Sequence, residues 1–132
     1  MRRRPGWALL GLSLSCLLAG CAGQAPSPGG SGESIGQTQQ GVAAYYASAY
    51  QGRRTASGER FDAAALTAAH RSLAFGTRVR VTNLANQRQV TVRVNDRGPY
   101  TEGRIIDLSR RAAERLAMID SGTAPVRIEV VR

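Results

Sequence analysis

Three side chains near the middle of this chain have the chemistry of an acid–base site. Glu59 lies in Thr55-Ala56-Ser57-Gly58-Glu59-Arg60-Phe61-Asp62. His70, the only histidine, follows eleven residues later, and Asp96 lies in Val94-Asn95-Asp96-Arg97-Gly98-Pro99. Carboxylic acids and imidazole give, take or hold a proton near neutral pH. The Ser57-Gly58 turn presents Glu59 at a rim. Asp96 closes an apolar strand before a Gly-Pro turn, a setting in which an acid can serve as proton donor. Asp62 is a further acid in the first polar cluster, and Asp107, after Ile105-Ile106 and before Leu108-Ser109, has a setting similar to that of Asp96. Each residue also has an ordinary structural use: Glu59 paired with Arg60, His70 hydrogen-bonded within the fold, Asp96 capping its own turn, Asp62 capping residues 63–65, and Asp107 capping a following helix. No metal-ligand spacing occurs, and neither a metal nor an organic cofactor is expected.

Strand ends must bring these groups together. Gly41-Val42-Ala43-Ala44-Tyr45-Tyr46-Ala47 reads as a first strand, and residues 66–69 as a short one. Residues 78–82 and 90–94 alternate with period two around the polar turn Leu84-Ala85-Asn86-Gln87-Arg88. They predict a hairpin with Val79, Val81, Val90, Val92 and Val94 inward and Arg78, Arg80 and Arg93 outward. Ile105-Ile106 is a short buried strand. Ser109 is an N-cap for a helix over 110–118, and residues 126–131 form a last strand. Short strands with one small helix in about 90 residues predict a mainly β, closed barrel, which leaves no exposed sheet edge.

The N-terminal segment belongs to a different context. Arg2-Arg3-Arg4 precedes an apolar run from Trp7 to Leu18, then Leu18-Ala19-Gly20-Cys21. This is the order of a bacterial lipoprotein signal, with residues 1–20 removed and Cys21 lipidated. Residues 21–40 carry the lipidated cysteine and a Gly, Ser, Gln and Pro tether with a reach of roughly 25 Å. The barrel domain is expected over 41–132. With Cys16 removed and Cys21 acylated, the domain has no free thiol or disulfide, and its stability must come from its core. The formal net charge is +9 with no lysine, and losing three arginines with the signal leaves +6. Nucleic acid is a usual partner for such a balance, but an exported lipoprotein seldom meets it. Anionic envelope polymers or lipid headgroups are the expected partners, with a solvated arginine surface as the alternative. No long apolar stripe demands a dimer, and a monomer is expected.

Taken together, TASGERFD, LTAAHRSLAFGTRVRVTNL, VRVNDRGPY, GRIIDLSRRAAERL and APVRIEVV resemble the rare lipoprotein A (RlpA-like) family across residues 41–132. The resemblance implies a six-stranded double-psi β-barrel of the RlpA, expansin and barwin kind. It also implies an envelope lipoprotein that acts on peptidoglycan glycan strands as an endolytic lytic transglycosylase in wall remodelling and daughter-cell separation. By motif, Glu59, His70 and Asp96 match the polar residues of the family's cleft. Asp62 and Asp107 match further acidic positions, and Asp107 also resembles the acid of expansin-type barrels. Arg54, Arg60 and Arg97 are candidate contacts to the glycan's carboxylates. The family's first strand commonly reads A-S-W-Y-G. Tyr45 stands at the tryptophan here, as a candidate for weaker sugar stacking. Many relatives carry a C-terminal SPOR domain, and none is expected here, since the sequence stops at Arg132.

The reaction this implies cleaves the β-1,4 bond between N-acetylmuramic acid and N-acetylglucosamine. The muramyl 6-hydroxyl closes on C1, and a 1,6-anhydro end remains. One acid that later acts as a base suffices, because no water attacks. Asp96 is the expected acid/base, with Glu59 and His70 as its partners. Two other functions fit the same residues: a non-catalytic, expansin-like peptidoglycan binder, and an envelope scaffold that meets division proteins through its arginine surface. Ala22 after Cys21 favours the periplasmic leaflet of the outer membrane.

Overall fold

The computed structural model describes residues 34–132. The signal, Cys21 and most of the expected tether lie outside the described residues. Six strands and one helix follow in order: β1 (Thr38–Tyr45), β2 (Thr67–His70), β3 (Arg78–Asn83), β4 (Gln89–Asp96), β5 (Arg104–Leu108), α1 (Arg110–Arg115) and β6 (Ala124–Val131). They close a barrel in the order β1-β5-β2-β4-β3-β6. The β1–β5 and β2–β4 pairs are parallel, and the other four are antiparallel.

The predicted hairpin is present. Val79 pairs with Val92 and Val81 with Val90. All four are buried with Val94, while Arg78, Arg80 and Arg93 are exposed, as period-two alternation requires. From β6, Val126, Ile128 and Val130 meet them across the interior, and Ile106 and Leu108 complete the core from β5.

The domain begins earlier than expected. Thr38, Gln39 and Gln40, read as tether, pair with Glu129, Ile128 and Arg127. Their side chains are exposed and polar, which is why they read as linker. A strand needs only its backbone to join a ladder, and here β6 supplies the partners.

Helix α1 lies against the barrel with Ala112, Ala113 and Leu116 buried. Ser109 caps it as expected, accepting from the Ala112 N–H at 3.2 Å. The helix stops at Arg115, short of the predicted 118. The reason is a Schellman turn. The Met118 N–H donates to the Ala113 carbonyl at 3.1 Å and the Ala117 N–H to the Glu114 carbonyl at 3.0 Å. Ala117 takes the left-handed position (φ 52°) that usually belongs to glycine. The last carbonyls are also used: Leu116 O accepts from the side-chain amides of Asn83 and Asn86, both at 2.9 Å. Replacing Ala117 by Gly removes the Cβ penalty and should raise stability by about 0.5 kcal/mol, after the larger unfolded-state entropy of glycine is deducted. Urea unfolding midpoints of the two proteins check this.

Candidate active site

The site starts from an irregularity in β4. Along β2, Ala68 pairs with Val94 but Ala69 pairs with Asp96, so Asn95 is an extra residue without an opposite number. Val90, Val92 and Val94 face the core. Without the bulge, strict alternation would turn Asp96 inward as well. The bulge reverses the parity and aims Asp96 at the outer face. Ala44, Asp107, Ala69 and Asp96 then follow one another across β1, β5, β2 and β4. Buried Ala69 forms a low floor between the two acids, and buried Ala44 continues it on the other side of Asp107.

A long excursion, residues 46–66, covers this floor. The Tyr46 ring packs on Phe61 at 4.4 Å and on Tyr50 at 5.4 Å between centroids. Phe61 is buried, which fastens the excursion to the barrel's outer face. Within it, Arg54 bridges Arg60, and the backbones of Gly52, Arg53 and Phe61 close the arms. Its tip reaches β4: the Ser57 N–H donates to the Asn95 carbonyl at 3.2 Å, and the Ala56 N–H to Asp96 Oδ1 at 2.8 Å.

Asp96 therefore has fixed partners on both oxygens. Oδ1 accepts from the Ala56 N–H and from the Arg97 N–H at 2.9 Å, and Oδ2 accepts from the Tyr46 hydroxyl at 2.5 Å. Burial pushes the Tyr46 phenol well above the ordinary tyrosine range. The hydrogen bond to Asp96 and the nearby charges of Asp96 and Asp107 add to the effect. Asp107 is paired with Arg104. It does not cap the helix, because Ser109 does.

Glu59 sits at the rim, as its turn predicts, but its partner is not Arg60. It takes a two-pronged ion pair from Arg93, at 2.7 and 3.0 Å, and a third bond from the Asn95 amide at 3.1 Å. These hydrogen bonds, Arg93 first, lower the Glu59 pKa. Glu59 thus stays ionised and ties the excursion to the bulge residue.

His70 stands one residue beyond Ala69, and alternation turns its ring to the other face. Nε2 meets the Gln39 side-chain oxygen at 3.0 Å, while Nδ1 accepts from the Ser72 and Leu73 N–H groups, both at 3.1 Å. The ring lines a concavity of about 300 Å³ with Gln39, Leu73, Ile105, Ile128 and Val130, and neither Asp96 nor Glu59 borders it. The sequence expectation of three side chains in one cluster is therefore corrected. Glu59 and Asp96 share the tip of the excursion and the bulge, whereas the His70 ring braces the turn after β2.

The binding candidates are also redistributed. Tyr45 points inward, with Ala43, and its hydroxyl donates to the Ile119 carbonyl at 2.9 Å. The aromatic residue beside the acids is Tyr46, which sequence reasoning missed. The parity of β1, with Ala43 in the core, was the signal that could have found it. Arg54 and Arg60 donate to the carbonyls of Gly58 and Gly52 inside the excursion. Arg97 donates to the His70 and Leu73 carbonyls, at 3.3 and 2.7 Å, and lies over the Phe75 ring at 4.0 Å. All three hold loops in place. Asp62 caps its own turn through the Ala64 N–H at 2.9 Å. No cluster of three metal-binding side chains occurs among the described residues.

Fold and site together define a double-psi β-barrel protein with a hydrogen-bonded aspartate on the outer face of the barrel. The comparisons with known proteins agree. The double-psi β-barrel "lytic transglycolase" family matches residues 38–128, and the chain belongs to that family. It is 62% identical over 100 residues to the "probable endolytic peptidoglycan transglycosylase RlpA" of a Nostoc species, covering 74% of this chain and 27% of that protein. It is 54% identical over 98 residues to the endolytic peptidoglycan transglycosylase RlpA of Campylobacter jejuni, covering 74% of this chain and 36% of the relative. The chain thus spans roughly a third of these relatives' length. Among solved structures, the Streptomyces papain inhibitor aligns with a TM-score of 0.61 at 28% identity, over 74% of this chain and 97% of that one. The apo expansin of Clavibacter michiganensis aligns with a TM-score of 0.57 at 29% identity, over 73% of this chain and 51% of that one.

Two predictions follow from these contacts. Because the folded pKa of Glu59 is depressed, its contribution to stability is present above the ordinary glutamate value of about 4.3. It is lost as pH falls through the lower folded value. Melting temperatures of wild type and Glu59→Gln should therefore differ at pH 7 and draw together as the pH falls below the ordinary glutamate value. For His70, an alanine leaves the Ser72 and Leu73 N–H groups without their acceptor and should cost about 1–3 kcal/mol. His70→Asn, which restores an acceptor, should recover part of that loss in the same denaturation assay.

Proposed function

We propose that this chain is the barrel of an endolytic lytic transglycosylase. It cleaves the β-1,4 bond between N-acetylmuramic acid and N-acetylglucosamine in peptidoglycan and leaves 1,6-anhydro ends. The observation that carries this reading is the bulge at Asn95, which puts Asp96 on the outer face beside Tyr46 and Asp107. Membership of the lytic transglycolase family and the names of the relatives support it.

In this reading Asp96 is the acid/base. Its proton goes to the glycosidic oxygen as the C1–oxygen bond breaks and positive charge develops at C1. The muramyl 6-hydroxyl then attacks C1, and its proton returns to Asp96. Two bonds are exchanged on one sugar, and the carboxyl ends as it began. Glu59 and His70 support Asp96 indirectly. Glu59 holds the excursion whose Ala56 N–H binds Asp96, and His70 orders the turn to which Arg97 is anchored. The signal pattern before Cys21 supports lipid anchoring, most simply on the periplasmic leaflet of an outer membrane, and the family resemblance supports action at the septum alongside division proteins.

The likeness to expansin favours a second reading, a peptidoglycan binder without catalysis. Digestion of purified peptidoglycan, with and without stem peptides, separates the two by mass spectrometry. The enzyme should release 1,6-anhydromuramyl products, and Asp96→Asn should lower their rate by at least about 10²-fold. Co-sedimentation with peptidoglycan and no new anhydro ends would leave the binder. Equal rates for wild type and Asp96→Asn would remove Asp96 from the chemistry.

A further inference from the structure

Tyr46 is a half-buried, titratable group that the roles above leave unused. Its neighbours are fixed by the fold. The ring is held between Phe61 and Tyr50, so the hydroxyl has little freedom to leave Asp96. The two oxygens of Asp96 are not equivalent. Oδ1 already accepts two backbone N–H groups, whereas Oδ2 accepts the phenol alone. A carboxylate oxygen has room for two strong partners. Oδ2 is therefore the oxygen with a site left for a substrate proton.

We infer that Tyr46 is a positioning residue that selects Oδ2 of Asp96 as the reacting oxygen and stabilises the carboxylate formed when the proton leaves. This rests on the assignment of Asp96 as the acid/base of a lytic transglycosylase. A donor aimed at Oδ2 interacts more strongly with an anion than with a neutral acid, since charge-assisted hydrogen bonds are about twice as strong as neutral ones. Asp96 becomes anionic as the glycosidic bond breaks, so the phenol acts on the transition state more than on the bound substrate. The phenol remains neutral throughout, and no proton passes through it. Its strongly raised pKa suits that role, because it remains a donor across the working pH range.

The obvious rival is a structural tyrosine that only anchors the excursion. Phe61, Tyr50 and the backbone bonds of residues 52–61 already supply that anchoring. Tyr46→Phe keeps the ring and removes only the hydroxyl, and so separates the two roles.

The test uses soluble glycan strands of defined length, with wild type, Tyr46→Phe and Asp96→Asn measured side by side. Tyr46→Phe should lower kcat for anhydro-end formation by about 10²-fold while KM stays within about threefold, as expected for loss of a donor used mainly in the transition state. Unchanged kcat, or a loss confined to KM, overturns the inference. No anhydro ends from wild type would instead overturn the transglycosylase reading on which it rests. A second measurement needs no activity and covers the case in which Tyr46→Phe fails to fold. In an alkaline titration of tyrosinate absorbance, one phenol should ionise above the ordinary range in wild type and move down in Asp96→Asn. An unmoved phenol would sink the Tyr46–Asp96 link itself.

Discussion

The parallel pairing of β2 with β4, and the single extra residue it accommodates at Asn95, governs the rest of the site. Barrel closure holds both strands on either side, β5 beside β2 and β3 beside β4, so neither can slide to absorb the extra residue. The local result is a reversal of parity. Val94 stays in the core and Asp96 emerges on the surface. Had the ladder been regular, the same sequence would have buried an aspartate among valines. The cost of an unpaired buried carboxylate is several kcal/mol.

The same bulge anchors the excursion between β1 and β2. Asn95 contributes a backbone carbonyl to Ser57 and a side-chain amide to Glu59, and Asp96 contributes Oδ1 to Ala56. Glu59 returns to β4 through Arg93. Polar groups on one irregular strand end thus position a loop of some twenty residues, and the loop in turn places the donors around the acid. Phe61 supplies the apolar part of this attachment by burying its ring under Tyr46. The surroundings of Asp96 are cross-braced by separate elements, and fixed geometry of this kind suits the proton transfer proposed for it.

The arginine-rich composition looks different once the fold is known. Arg54, Arg60 and Arg97 were candidate glycan contacts, yet each is held by carbonyls that need a donor. Arg93 and Arg104 neutralise Glu59 and Asp107. Much of the positive charge around the acids is therefore structural, and Arg93 is committed to Glu59. His70 shows the same economy: its imidazole replaces a backbone acceptor at the start of a tight turn.

Strand periodicity alone determined a great deal. The alternation of valines in 78–82 and 90–94 defined the hairpin and its core face, because a period of two leaves no other way to bury them. Ser109 announced the helix start, since a hydroxyl is well placed to meet the first free N–H groups. The order of the polar clusters was enough to indicate the family. The sequence could not say which parity of β1 faces the acids, or that β4 carries an extra residue. Those depend on the register of strands distant in the chain. Tyr45 and Tyr46 are adjacent and chemically identical, and only the pairing of β1 with β5 and β6 sends one inward and the other to Asp96. The choice of Arg93 over Arg60 as the partner of Glu59, and the turning of His70 away from the acids, were likewise decided by tertiary structure, because side-chain direction in a sheet is fixed by neighbours that local sequence does not contain.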